Sequence, residues 1–198
     1  IDATCQRLIK VQSIISRHAK KGYASIIIGD KDHPEVTGLL GYAGQNGHVV
    51  GSFEELDSLP HFNQAIVVAQ TTQNIQFFET VKNWVHDKHP VYKIFDTICD
   101  STERRQDEVK RLSTEVDAII VVGGRNSGNT QRLAEIAGSS GKPTYHVETE
   151  EYFVVRSKAT VLATGGNSVG SPPHASFRLD DAGGEELLLS DSSGRVLE

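Results

Sequence analysis

The sequence repeats itself, and this internal repeat constrains the possible folds more than any other feature of the chain. The 198 residues include two cysteines, Cys5 in "IDATCQ" and Cys99 in "FDTICD", each preceded by an acid three residues upstream. Their offset, 99 − 5 = 94, also aligns two pairs of apolar stretches: "SIIIGD" (25–30) with "IIVVGG" (119–124), and "AIVVAQTT" (65–72) with "ATVLATGG" (159–166). One spacing kept without gaps over these landmarks predicts a duplicated structural unit.

Helix-like and strand-like patterns alternate within each copy of the repeat. The predicted elements of the first copy are helix 6–20 with a stop at Gly22, strand 25–30, helix 34–40, strand 48–51, a capped turn at Ser52, strand 65–69 and helix 74–88. Those of the second copy are helix 103–115, strand 117–123, helix 129–138, strand 144–148 and strand 159–163. This alternation predicts an α/β fold of repeated units with mostly parallel sheets.

Composition indicates an ordinary globular protein, with 37% hydrophobic and 23% charged residues. The net charge of −6 argues against a nucleic-acid partner, since phosphate-binding surfaces are normally basic. No apolar run approaches the ~20 residues that span a bilayer, so we expect no membrane partner. The start lacks a basic segment followed by an apolar one, which favours the cytoplasm and reduced cysteines.

Candidate functional residues lie on the loops that follow the predicted strands, where α/β proteins gather their binding groups. The loops after the first strand of each copy are "DKDHPEVTG" and "GRNSGNTQR", and the offset places His33 on Ser127 and Glu35 on Asn129. Both loops lead into a predicted helix, whose N-terminal N–H groups favour an anion. The stretch "QTT" (70–72) adds a further polar cluster at a strand end.

The residue types alone leave alternatives open. Free cysteines are often small core residues, but the repeated D-x-x-C setting is polar, and thiolates bind iron–sulfur clusters, zinc or copper. Two cysteines cannot complete any of those sites. His33 and Glu35 offer a cation and a proton carrier to an anion, or form only a helix-starting loop with Pro34. "GGRNSGN" lacks the G-x-G-x-x-G spacing of dinucleotide-binding loops.

Five ordered motifs resemble the IspH/LytB family of 4-hydroxy-3-methylbut-2-enyl diphosphate reductases over residues 1 to about 153: "IDATC", "HPEVTGLLG", "QTT", "FDTICDSTERRQ" and "VVGGRNSGNTQRLAEIA". The resemblance implies three related α/β units around a central 4Fe–4S cluster, each contributing one cysteine. This chain would hold the second unit (1–93) and the third (94–170), without the first unit and its cysteine. Residues 171–198 do not resemble the family's closing helix, and we expect an atypical tail for which disorder is one interpretation.

The resemblance also implies an activity in isoprenoid precursor biosynthesis by the non-mevalonate pathway. The family removes the hydroxyl of its allylic diphosphate substrate reductively, giving isopentenyl and dimethylallyl diphosphates, with electrons from a ferredoxin or flavodoxin. The implied roles are cluster ligation by Cys5 and Cys99, proton donation by Glu35, and substrate binding by His33, Thr71, Ser127, Asn129 and Ser168. The alternative is an inactive diphosphate-binding module or a decayed fragment of that enzyme.

Overall fold

The computed structural model describes residues 5–148 and the backbone of residues 159–163. The chain divides into two compact units, residues 1–104 and 105–198. The predicted family units 1–93 and 94–170 stay predictions. The predicted tail, 171–198, lies outside the described residues, as does Ser168.

The first unit is built on a parallel sheet covered by helices. Its strands within the described residues are β1 (Ala24–Ile28), β2 (Gly47–Val50), β3 (Ala65–Ala69) and β4 (Lys93–Ile94), in the order β2-β1-β3-β4. Its helices are α1 (Gln6–Ala19), α2 (Pro34–Ala43), α3 (Phe53–Asp57) and α4 (Ile75–Lys88), with a 3₁₀ turn at Gly44–Asn46. Each parallel neighbour is therefore reached through a helical crossover, as parallel pairing requires.

Strands β1 and β3 are buried on both faces, which explains why β3 is a continuous apolar run and β1 is apolar apart from Ser25. Ile26 and Ile28 of β1 pack on one face in a cluster with Phe78 of α4. Ile27 points to the other face and packs in a cluster with Ile15 of α1 and Leu39 of α2. Each of these side chains is at most 1% exposed and contributes ~1.5–3 kcal/mol of transfer free energy. The core therefore fixes the strand ends on which the candidate residues lie.

The second unit follows the same plan. Helix α5 (Asp100–Ser113) leads into it, followed by β5 (Ala118–Val122), α6 (Gly128–Ser139), β6 (Thr144–Val147) and β7 (Ala159–Ala163). The strands that the structure describes here form a parallel sheet in the order β6-β5-β7. Val121 and Leu133 belong to its apolar cluster. In the described part of the chain, no helix has the length and apolar character to cross a membrane.

The structure confirms the predicted repeat, except that the offset does not carry β2 onto β6. The offset of 94 carries α1 onto α5, β1 onto β5 and β3 onto β7, and it carries Pro34, which starts α2, onto Gly128, which starts α6. The strand registers match as well, since Ala24 pairs with Ala65 and Ala118 pairs with Ala159. The two copies therefore share one connectivity from the cysteine-bearing helix start to the third strand.

Several element boundaries differ from the predictions by one or two residues, and the larger differences concern α5, α2 and β4. Helix α5 begins at Asp100 rather than at 103, because its first turn carries no apolar residue that a periodic pattern could detect. Helix α2 continues to Ala43 and ends at Gly44, whose φ of 61° suits a residue without a side chain. The edge strand β4 has only two residues, too few to show any alternation.

Candidate functional site

The two cysteines occupy equivalent positions at the starts of helices. Cys5 is the N-cap of α1 and Cys99 immediately precedes α5. The carbonyl of Cys5 accepts the N–H of Ile9 at 3.1 Å, and the carbonyl of Cys99 accepts that of Glu103 at 3.0 Å. Cys5 is exposed and Cys99 is half-buried, so neither is the core residue that free cysteines often are.

The surroundings of Cys99 favour its thiolate. The hydroxyl of Ser101 lies 3.2 Å from the sulfur and is the main reason why the pKa of the Cys99 thiol is lowered. Partial burial acts in the opposite direction, while the backbone N–H groups of Ser101 and Thr102 and the positive charge of Arg7 lower the pKa further. Because the thiolate is the form that ligates metals, these contacts favour the form of Cys99 that a metal site would require.

Arg7 connects the start of α1 with the Cys99 loop. Its Nη2 donates to the carbonyl of Ile98 and to Oδ1 of Asp100, both at 2.7 Å, so it contacts the residues on either side of Cys99. A cation in the first turn of a helix opposes the helix dipole, and this first turn has no acid to balance it. The partly exposed ion pair adds little stability, ~0–1 kcal/mol. The two hydrogen bonds of Arg7 link the two cysteine-bearing segments.

Glu35 and Thr71 form a two-point contact between neighbouring strand ends. Oε1 of Glu35 accepts the backbone N–H of Thr71 at 2.7 Å, and Oε2 accepts the Thr71 hydroxyl at 2.8 Å. The carbonyl of Thr71 in turn accepts the backbone N–H of Cys99 at 2.9 Å. Thr71 thus bonds to a candidate proton donor through two groups and to a candidate metal ligand through a third.

His33 is the N-cap of α2, with Pro34 in the first turn. Its Nδ1 accepts the backbone N–H of Glu35 at 3.2 Å. A neutral His33 therefore carries its proton on Nε2, since Nδ1 acts as the acceptor. The helix-starting role considered above is confirmed, and it leaves Nε2–H as the group that could bind an anion.

Ser127 and Asn129 lie at the start of α6 in the second unit. Ser127 is the N-cap, and its hydroxyl accepts the N–H of Thr130 at 3.4 Å, as His33 accepts at the equivalent position of the first copy. The side-chain oxygen of Asn129 is buried and has no hydrogen-bond partner among the described residues. Buried polar atoms normally have a partner, so Asn129 is a candidate for ligand binding.

The sequence patterns did not point to Arg7, although its unfavourable position in the first turn of a helix is one available signal. Gln70 belongs to the predicted polar cluster at 70–72, but no separate role was predicted for it. Its side chain is fully buried at the end of a buried apolar strand. Within residues 5–148, no three His, Cys, Asp or Glu side chains gather into a metal site.

Comparison with known proteins relates these features to one family. Residues 1–173 match the family model described as LytB protein. The 4-hydroxy-3-methylbut-2-enyl diphosphate reductase of Geobacter sulfurreducens is 48% identical over 154 residues, covering 76% of this chain and 54% of the relative. The reductase of the same name from Oleidesulfovibrio alaskensis is 45% identical over 157 residues, covering 76% and 55%.

A solved structure agrees with the fold. The E-1-hydroxy-2-methyl-but-2-enyl-4-diphosphate reductase of Plasmodium falciparum superposes with a TM-score of 0.70 at 30% identity, covering 74% of this chain and 48% of that one. The predicted α/β fold with parallel sheets is therefore confirmed. The chain spans about half the length of the curated relatives it matches.

Proposed function

Since this chain belongs to the LytB protein family, we propose that it forms part of an oxidoreductase of isoprenoid precursor biosynthesis. The substrate is 4-hydroxy-3-methylbut-2-enyl diphosphate. Two electrons and two protons enter, the C–O bond of the hydroxyl-bearing carbon breaks, water leaves, and isopentenyl or dimethylallyl diphosphate forms. The curated relatives, which carry the name of this reductase, support the assignment.

Cys5 and Cys99 would bind the iron–sulfur cluster that such a reduction requires. Three observations support this role: both thiols are accessible to some degree, the pKa of Cys99 is lowered, and Arg7 ties their segments together. Two thiolates are fewer than a 4Fe–4S cluster normally takes, so further ligands would have to come from outside this pair. When bound, the cluster would supply electrons and an iron that acts as a Lewis acid toward the substrate oxygen.

Glu35 and Thr71 would deliver the proton that leaves with the hydroxyl. The Thr71 hydroxyl donates to Oε2 of Glu35 at 2.8 Å. If Glu35 is protonated, the direction of this bond reverses, and the hydrogen of the Thr71 hydroxyl becomes available to the substrate. This carboxyl–hydroxyl pair, bonded through Thr71 to the Cys99 backbone, is the observation that carries the proposal.

The diphosphate would be bound by donors at helix starts. In the first unit, Nε2–H of His33 suits an anion. In the second unit, taken by itself, the N-terminal N–H groups of α6 suit an anion, and the helix dipole adds to their effect. Ser127, Asn129 and Ser168 would contribute further hydrogen bonds. Electrons would arrive from a ferredoxin or a flavodoxin, and we expect the reaction in the cytoplasm, where thiols stay reduced.

The test requires a protein of the relatives' full length. We define the completed chimera as this chain joined to the part of the Geobacter sulfurreducens reductase that it does not match. Purified without oxygen and supplied with reduced flavodoxin, the completed chimera should form isopentenyl and dimethylallyl diphosphates. Its Glu35→Gln variant should keep its iron and its substrate affinity and turn over roughly 10²–10⁴ times more slowly.

The matched control is Glu135→Gln, which changes an exposed glutamate on α6 and should leave turnover unchanged. Substrate binding without turnover, in a completed chimera that carries a full cluster, would favour the inactive diphosphate-binding alternative. Absence of both substrate binding and iron would reject the proposal.

A further inference from the structure

Gln70 is a glutamine at the end of β3 whose side chain has no solvent exposure. Its Oε1 accepts the backbone N–H of Asp30 at 3.0 Å, and its Nε2 donates to the hydroxyl of Thr72 at 2.9 Å. Its own backbone N–H donates to the carbonyl of Ile28 at 2.8 Å. The side chain therefore bridges the loop after β1 and the loop after β3.

The space for this bridge exists because position 29 is a glycine. A Cβ added to Gly29 would lie 3.0 Å from Oε1 and 3.1 Å from Cβ of Gln70, and 2.7 Å from Cγ2 of Val36. Real Cβ atoms do not approach other atoms as closely as 2.7 Å. The end of β1, the first turn of α2 and Gln70 are thus packed against one another at a single point.

The two bridged loops are those that carry the carboxyl–hydroxyl pair. Glu35 follows the β1 loop in the first turn of α2, and Thr71 stands between Gln70 and Thr72. A buried amide is costly unless both of its ends are bonded, and the ends of Gln70 are bonded to different loops. The bond from the Asp30 N–H to Oε1 therefore holds the two loops at one separation, while the bond from Nε2 to Thr72 lies within the β3 loop and orients the amide.

We propose that Gln70 is a positioning residue that sets this separation, so that the carboxylate of Glu35 meets the N–H and the hydroxyl of Thr71 together. The inference deepens the proposed function, because it concerns the same pair and rests on the proton-donating role given to it. Gln70 itself acts through other residues and has no assigned contact with the substrate.

Amide hydrogen exchange of the 198-residue chain, followed by NMR, tests the proposal without any cofactor. The informative amide is that of Thr71, because its acceptor is Glu35 rather than Gln70. In Gln70→Met, which keeps the volume and removes both hydrogen bonds, Thr71 should lose at least tenfold more protection than Ile27 inside β1. Gln70→Glu retains an acceptor for Asp30 and should restore most of the Thr71 protection.

Val67→Ala is the control for simple destabilisation, since Val67 is fully buried on the same strand. It should lower the protection of Thr71 and Ile27 by the same factor. Equal losses at Thr71 and Ile27 in Gln70→Met would overturn the proposal.

A second measurement uses the completed chimera, in which Gln70→Met should lower kcat while changing KM for the substrate by less than about threefold. Selective loss of Thr71 protection in a completed chimera without reductase activity would support the positioning role and count against the proposed function. A KM increase at unchanged kcat would overturn the link between Gln70 and proton delivery.

Discussion

The backbone N–H of Cys99 donates to the carbonyl of Thr71 at 2.9 Å, while Glu35 accepts both the N–H and the hydroxyl of the same threonine. Glu35 and Thr71 are 36 residues apart in the chain. The parallel sheet brings their segments together, because the loops after neighbouring parallel strands lie at one edge. A movement of the Cys99 loop would therefore disturb the hydrogen bonds between Thr71 and the Glu35 carboxylate.

Replacing Thr71 by valine removes the hydroxyl and keeps the N–H that bonds to Oε1 of Glu35. We expect kcat of the completed chimera to fall roughly 10²–10⁴-fold, since the proton has no hydroxyl through which to pass. Iron content and substrate affinity should stay within a fewfold of the parent. Thr71→Ser, which restores a hydroxyl, should recover most of the rate, and a valine variant with the parental kcat would exclude the relay.

The reactivity of Cys99 should depend on the groups that lower its thiol pKa. Ser101→Ala removes the main one, so the pKa should rise and the thiolate fraction near neutral pH should fall. Arg7→Met should raise the pKa by a smaller amount, because the charge of Arg7 contributes less. Rates of alkylation by iodoacetamide, measured against pH in a Cys5→Ser background, give the midpoint for Cys99 alone.

Arg17→Met is the control for Arg7→Met, because Arg17 lies in the last turn of α1, the helix that also contains Arg7. Its alkylation profile should match the parent's. Profiles that coincide for the parent, Ser101→Ala and Arg7→Met would refute this description of the Cys99 environment.

His89 should make stability depend on pH. The centroid of its ring lies 4.6 Å from that of Tyr92, on which it stacks, and 4.5 Å from that of Trp84. Burial lowers the pKa of His89, and the charges of His61 and Lys88 lower it by smaller amounts. The pKa of His89 is lower in the folded protein than in the unfolded chain. The contribution of His89 to stability is therefore complete above the unfolded pKa and is lost as the pH falls through the folded pKa.

Urea unfolding at pH 8 and pH 5 tests the His89 prediction. The free energy of unfolding should fall less for His89→Phe than for the parent, because phenylalanine keeps an aromatic ring and does not titrate. The exposed His86 gives the control, since His86→Gln should keep the parental dependence. Equal pH dependence in His89→Phe and the parent would contradict the assignment.

Much of the fold could be predicted because helices and strands leave local patterns of apolar residues in the sequence. Strand β3 is a continuous apolar run, β1 is apolar apart from Ser25, and the offset between Cys5 and Cys99 gives their second copies directly. Glu35 and Thr71 were also predicted to lie after strands of a parallel sheet, where binding groups gather. The two-residue strand β4 could not be predicted, because it is too short to carry a pattern.

The connections within the site could not be predicted, because they join distant parts of the chain. Arg7 reaches the carbonyl of Ile98 across 91 positions, and no local pattern marks that contact. Gln70 reaches Asp30 across 40 positions in the same way. Such contacts depend on which elements the core packs together, so they appear only once the sheet is assembled.

The most direct measurement is the iron content of the completed chimera, purified without oxygen, for the parent, Cys99→Ser and Ser101→Ala. We expect the parent and Ser101→Ala to carry equal iron with the visible absorption of an iron–sulfur cluster, and Cys99→Ser to lose both. Unchanged iron and absorption in Cys99→Ser would contradict the assignment of Cys99 as a cluster ligand.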